Sequence, residues 1–450
     1  MKFIKKLFSR DKYISKIVKL AFPVMLGQVM FAVLNFADRF FIGKLGINEA
    51  AGSSLSGALI WTLITFTSLI TGGTIALVSR KIGEANYKDA VESAEQSLLL
   101  SIVLGCIVAA ACFLFSGELI GFYQAEPVVE AIGISYFKIL MTGFPFMMFG
   151  SVAGAIFQSS GNTKTPMFVF SGMSLINLVL DPVLIFGSGP IPSLGVNGAA
   201  MATVFSEIAA FVWIYYKLYH YKTIKLQKLF FIRPQLNMMK RILKIGIWSG
   251  MNSFSRPLSG VFLQKIIVFH GTAYLAAFSF AMQWVSLIFI FLEGMRIAIS
   301  TLAGLNLGKK DYESVKNIVN AGLKFGYIIM TIILLVFLPS VRIAIGIFSM
   351  NPEVINAGAG FLIIILTGMY FAVPLAIYTA AFNGAGDTMP PMITSFIANW
   401  AGKIGTAYIA TYYLGLSIDY VWWGVTVSLA IEGIGVTLWF SRGKWKEKIV

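Results

Sequence analysis

The stretch FQSSGNTKTPM, Phe157 to Met167, returns as FNGAGDTMPPM, Phe382 to Met392, 225 positions later in a chain of 450 residues. An offset of half the length restricts the fold more than any single motif, because it makes the chain two copies of one unit. Gly83, Tyr87, Pro127, Gly133, Thr142 and Gly143 recur at the same offset as Gly308, Tyr312, Pro352, Gly358, Thr367 and Gly368. Glu207 recurs as Glu432, and no insertion or deletion is needed. The repeated stretch reads as a tight connection between helices. Gly161 and Gly386 suit a left-handed helix end, Thr, Asn or Asp caps the next helix, and proline fits its first turn.

Each copy holds six apolar runs of the roughly 20 residues that cross a bilayer as a helix. They lie near 15–37, 52–76, 94–115, 131–157, 167–187 and 196–217, then 243–268, 273–301, 320–339, 355–382, 392–414 and 420–440. Only 12% of residues are charged and 57% are hydrophobic, against roughly 25% charged in soluble domains. A soluble chain of this length cannot hide that apolar surface, so the net charge of +15 points to basic cytoplasmic loops rather than to nucleic acid. Lys and Arg gather in the N-terminal segment, around 80–88, in 218–242, around 309–316 and in the tail, whereas 116–130 and 188–195 have none. That alternation puts both termini in the cytoplasm, and six being even makes the repeat parallel. The expected fold is therefore an all-α membrane protein with twelve transmembrane helices in two pseudo-symmetric six-helix bundles. The expected divisions are an N-lobe (1–217), a basic cytoplasmic linker (218–242) and a C-lobe (243–450). At the start of the chain, Phe3, Ile4, Leu7 and Phe8 against Lys2, Lys5 and Lys6 read as an amphipathic approach on the membrane interface. Cys106 and Cys112 read as small apolar residues, and the isolated His220 and His270 suggest no metal centre.

Two similar bundles suit a secondary transporter, in which one half rocks against the other around a cleft. No Walker A sequence is present and the loops are too short for a nucleotide-binding domain, so an ion gradient is the expected energy source. Function is expected where the symmetry breaks. Asp38 in helix 1 has Leu263 as its counterpart, and Asp181 in helix 5 has Thr406. Carboxylates in a bilayer are costly and mark function. They can bind a proton or, with further oxygens, a dehydrated sodium ion. Asn177 lies one turn before Asp181 on the same face, and Thr203 in helix 6 offers another oxygen. Asn35 and Gln28 are further cavity candidates, and Pro23 permits a bend in helix 1. Glu207 and Glu432 read as a shared structural pair of positions, Glu293 and Arg296 as an internal pair, and Lys138, Lys265 and Lys403 as snorkelling or paired cations.

NFADRFFIGKLG, SRKIGEANYKDA, FQSSGNTKTPM and GVNGAAMATVFSE in the first half, with LAGLNLGKKDYES and FNGAGDTMPPM in the second, together resemble the multidrug and toxic compound extrusion (MATE) family along nearly the whole chain. The resemblance implies a two-lobed exporter of small amphipathic organic cations and drugs, working as an antiporter against inward Na+ or H+. It implies coupling residues at Asp38, Asn177, Asp181 and Thr203, which would also be the Na+ ligands, and bending of helix 1 at Pro23. Another branch of the family has an acid in helix 7. The run 243–268 contains no Asp or Glu, which favours coupling in the first lobe. Localisation in the cell (inner) membrane, a monomeric state, contact with lipid but not nucleic acid, and no cofactor beyond the coupling ion complete these expectations. A major-facilitator-type transporter also has two parallel halves, but its basic Asp-Arg turn after helix 2 does not fit SRKIGEANYKDA. A lipid-linked sugar flippase of the same superfamily would have more spans and a more basic cavity. A membrane-embedded enzyme would need clustered polar residues, such as paired acids for a metal, and the sequence shows none across the two halves.

Overall fold

The computed structural model describes residues 11–226 and 233–448. The amphipathic approach expected at Phe3, Ile4, Leu7 and Phe8 lies outside the described residues. The protein is an all-α membrane protein of twelve long helices in two pseudo-symmetric sets of six. The first set is α1 Lys12–Gly43, α2 Ile47–Gly83, α3 Tyr87–Leu114, α4 Pro127–Ser159, α5 Lys164–Phe186 and α6 Val196–Tyr219. The second is α7 Leu236–His270, α8 Thr272–Gly308, α9 Tyr312–Phe337, α10 Pro352–Ala385, α11 spanning 389–413, and α12 Ile418–Ser441.

Ten of these are long and apolar enough to cross a membrane on composition alone. The two others have visible reasons. The α7 helix carries Lys240, Arg241, Lys244, Arg256 and Lys265, and α11 is interrupted by π-helical stretches at Ala398–Gly405 and Ile409–Tyr413. A short 3₁₀ segment, Thr65–Thr67, also breaks α2.

The repeat holds in the backbone as well as in the sequence. Gly161 and Gly386 both take positive φ, 81° and 72°, ending α4 and α10 in the left-handed region that glycine enters without penalty. Ala85 and Lys310, also 225 apart, share φ of 57° and 59°. The next residues, Asn86 and Asp311, each cap a helix by accepting from a backbone N–H, that of Asp89 at 3.2 Å and that of Ser314 at 2.9 Å. Pro127 and Pro352 open α4 and α10. Those two helices are equally deep, with 61% of the apolar window buried in each. They are the central helices about which their neighbours pack, α2, α3 and α6 around α4, and α8, α9 and α12 around α10.

By contact, one compact unit is Pro23–Gly246, and the other joins 247–448 to residues 11–22. The division therefore falls inside α1, at the proline. In the first unit, side chains are sorted in the sense a bilayer demands. On α5, Leu175 and Val179 point outward while Ser174, Asn177 and Asp181 are buried. On α1, Phe36 and Phe40 are exposed and Leu34 and Ile42 are buried. Apolar surface outside and polar groups within is what remains when lipid replaces water as the solvent. In the second unit, Phe278 stacks on Trp422 with their planes 7° apart, and Phe361 packs against both.

Candidate functional site

Three helices of the first unit bring together four of the residues singled out in the sequence. Asn177 and Asp181 are four apart on α5 and share its buried face, with 1% and 0% exposure. Asp38 approaches from α1 and Thr203 from α6. With its nitrogen toward the acids, the Asn177 amide donates to Asp38 Oδ1 at 3.0 Å and to Asp181 Oδ2 at 3.2 Å. Its oxygen then accepts from the Thr203 backbone N–H at 3.1 Å and the Thr203 hydroxyl at 3.3 Å. The opposite orientation would set the amide oxygen against two carboxylate oxygens.

Asp38 and Asp181 are therefore held on one amide, each with a carboxyl oxygen within about 3 Å of its nitrogen. Two ionised carboxylates sharing one donor in a pocket of low dielectric repel each other, so a cation shared between them relieves the site. Asp181 Oδ1 is buried and has no hydrogen-bond partner among the described residues, and in this dry setting an orphaned acceptor invites a proton or a cation. No three His, Cys, Asp or Glu side chains gather among the described residues. The acceptors at the site are all oxygen, the donor chemistry of H+ or a hard cation such as Na+ rather than of a transition metal.

Asp38, but not Asp181, reaches a cavity of about 460 Å³ in the same unit, whose walls also carry Thr203, Asn35, Tyr136, Arg39 and Glu207. Trp61, Phe31, Phe144, Met141, Met147 and Met173 supply its apolar walls. Such side chains adapt to differently shaped apolar bodies, and Asp38 and Glu207 set carboxyl groups in the wall. Asn35 donates its amide to the Phe31 carbonyl at 2.8 Å. Gln28 lies nearer the N-terminal end of α1, outside this lining, and is half-buried. Pro23 is buried at the division between the units.

Two residues of the site were not identified from the sequence as belonging to it. Tyr136, on α4, sits in the electrostatic field of both Asp38 and Asp181. Its repeat counterpart is Phe361, so the hydroxyl is another break in the symmetry, visible by the comparison that exposed the acids. Glu207 was read as sharing a structural role with Glu432. The structure separates them. Glu207 faces the cavity, in space opened by Gly143, where a Cβ would collide with its carboxylate. Glu432 is 2% exposed and is bound by Arg256. The difference follows from α7, where Arg256 stands at the position that Phe31 occupies in the first copy.

Compared with known proteins, the chain matches the MatE family twice, over residues 23–183 and 250–409, one match in each half. It is 26% identical over 439 residues to a probable multidrug resistance protein NorM of Thermotoga maritima, covering 97% of this chain and 94% of that one. It is likewise 26% identical over 433 residues to the probable multidrug resistance protein YoeA of Bacillus subtilis, covering 95% and 93%. Among solved structures, that of a MOP superfamily transporter from Pyrococcus furiosus superposes with a TM-score of 0.90 at 23% identity, covering 98% of this chain and 97% of that one.

Proposed function

The chain belongs to the MatE family, a family of multidrug efflux transporters, and on that premise we propose that it is an antiporter exporting small amphipathic cations against inward flow of H+ or Na+. The observation that carries this reading is the Asp38–Asp181 pair, bridged by Asn177, at the wall of an acidic, Met- and aromatic-lined cavity. A hydrophobic cation fits that cavity by its apolar body, with its charge toward Asp38 and Glu207. Asp38 is the member of the pair that substrate and coupling ion both reach. Asp181, sealed behind it, keeps the second carboxyl oxygen available to the ion.

The cycle then needs only that the two cations exclude each other. With a proton between Asp38 and Asp181 the pair has lost one negative charge, and substrate leaves outward. When the proton departs inward, the paired charge returns and the next substrate is held. Inward movement of one charge across 100 mV supplies about 2.3 kcal/mol. Na+ is the second reading, supported by the orphaned Asp181 Oδ1 and the oxygen donors of Asp38 and Thr203. It requires the Asn177 amide to turn its oxygen to the carboxylates. Alternating access between the two halves, rearrangement of α1 at Pro23, a place in the cell membrane with both termini in the cytoplasm, and a monomeric state belong to the same proposal.

Purified protein in liposomes, loaded with ethidium and given a pH gradient or a Na+ gradient separately, tests the reading. One gradient drives ethidium movement, and Asp38→Asn abolishes it at unchanged protein level. Gradient-driven transport that survives in Asp38→Asn refutes Asp38 as the coupling acid.

A further inference from the structure

The second unit carries a buried polar cluster that the coupling scheme does not use. Glu432 on α12 accepts from Arg256 Nη2 of α7 at 2.5 Å and from Asn399 Nδ2 of α11 at 2.5 Å. The Ser395 hydroxyl donates to it at 3.3 Å. Both oxygens are thereby occupied. Asn399 Oδ1 accepts from Lys403 Nζ at 2.7 Å and from the Ser259 hydroxyl at 3.2 Å. On α8, Glu293 is closed by Arg296, which donates through Nε at 2.7 Å and Nη2 at 2.5 Å. Arg256 acts electrostatically on both Glu293 and Lys403, and Glu432, itself bound by Arg256, partly offsets the repulsion felt by Lys403.

The charges do not balance. Arg256, Arg296 and Lys403 face two carboxylates, Glu293 and Glu432, each already engaged by an arginine. Lys403 is only 8% exposed, and among the described residues no carboxylate lies within 4.0 Å of it. An ammonium has three N–H donors, and this one spends one on an amide oxygen. Arg256 spends one of five on Glu432 and keeps a side chain that is 40% exposed. Ser255 Oγ and Trp400 Nε1, on the same two helices, are buried with no partner among the described residues. A buried charge whose nearby carboxylates are already taken up by arginines is expensive, and an anion joining the cluster would balance it.

Nor is the cluster a general requirement of the scaffold. In the first copy Phe31, Leu178 and Ser174 stand where Arg256, Lys403 and Asn399 stand in the second. That copy packs without them. Only the second copy departs from α-helix here, with the π-helical stretch Ala398–Gly405 presenting Asn399 and Lys403. The matching stretch lies inside the α-helix Lys164–Phe186. Such π insertions concentrate at functional sites.

We propose that Lys403 and the free edge of Arg256 form an oxyanion subsite in the second unit, taking a carboxylate or phosphate group. It adds to the cation chemistry of the first unit and does not depend on it.

Fluorescein, a dianion, and ethidium, a cation, serve as probes on the full-length protein in nanodiscs of neutral lipid, with binding followed by fluorescence anisotropy. Fluorescein binds the wild type, and benzoate or inorganic phosphate displaces it. Lys403→Met weakens fluorescein binding by about tenfold or more, the worth of a lost charge-assisted hydrogen bond. Lys403→Arg restores most of it, and ethidium binding is unchanged in both, which certifies the fold. Removing Arg256 would strand Glu432, so the test rests on Lys403. Nanodiscs containing phosphatidylglycerol separate two sources of the anion. Lys403-dependent loss of fluorescein affinity there assigns the site to a lipid headgroup, and unchanged affinity assigns it to a soluble oxyanion. Equal fluorescein affinity in wild type and Lys403→Met, or none in the wild type, overturns the proposal. Neither result bears on coupling, which is read from Asp38→Asn.

Discussion

Asn177 is the residue on which the candidate site turns, because a single amide touches both acids and Thr203. Asn177→Leu keeps the volume and removes every polar contact. Leaving two carboxyls without their shared donor costs about 1–3 kcal/mol. The variant should unfold at lower denaturant than the wild type and lose gradient-driven ethidium movement. Full stability together with full coupling would dissolve the bridging role. Asp38, Asn177, Asp181 and Thr203 were readable in the sequence because polar groups in an apolar run are conspicuous and rarely idle. Tyr136 and Glu207 were not singled out for this site. A tyrosine in an aromatic-rich helix has no local mark, and a glutamate repeated at 432 looks structural until its partners are seen. Lys403 reaches Asn399 only four residues away, but the cluster around them was hidden, since Arg256 and Glu432 meet across 176 positions and no window of sequence spans that.

Elements show how closely the two copies follow each other and where chemistry separates them. Asn86 and Asp311 cap equivalent helices, but only Asp311 titrates. Hydrogen bonds from the Ser314 side chain and backbone hold its carboxyl below the usual carboxylate range. A group lowered in the folded state stabilises above its unfolded pKa, and that contribution is lost as pH falls through the folded value. Acidification should therefore raise amide exchange, corrected for intrinsic rates, at Tyr312–Ser314 but not at Tyr87–Asp89, and Asp311→Asn should erase the contrast. Equal loosening at both ends would deny the cap its charge. The apolar runs were legible because length and hydropathy suffice for ten of the twelve. Their ends were less so. The α1 helix runs on to Gly43, and α7 begins at Leu236, inside the stretch expected to be linker. Helical hydrogen bonding does not stop where hydropathy does. The 3₁₀ break in α2 and the π stretches of α11 left no trace in the pattern, because they alter the turn by a fraction of a residue within equally apolar sequence.

For the whole molecule the duplication carried most of the information. Two matches to one family, one in each half, agree with it, and so do the paired backbone angles. Orientation is a separate matter, resting on loop charge. The alternation of Lys and Arg predicts that a single cysteine at Gly189, in a cysteine-free background lacking Cys106 and Cys112, reacts with an impermeant maleimide added outside intact cells. One at Gln235 should react only after the cells are opened. The reverse pattern would invert the topology, and labelling of both sites from outside would break the count of spans.

Asp181 has no exposed surface, while Asp38 opens to the cavity. In the proposed cycle this makes the pair a queue with one door. An ion entering from the cavity meets the outer carboxyl first, so cargo and ion contend for the same entrance.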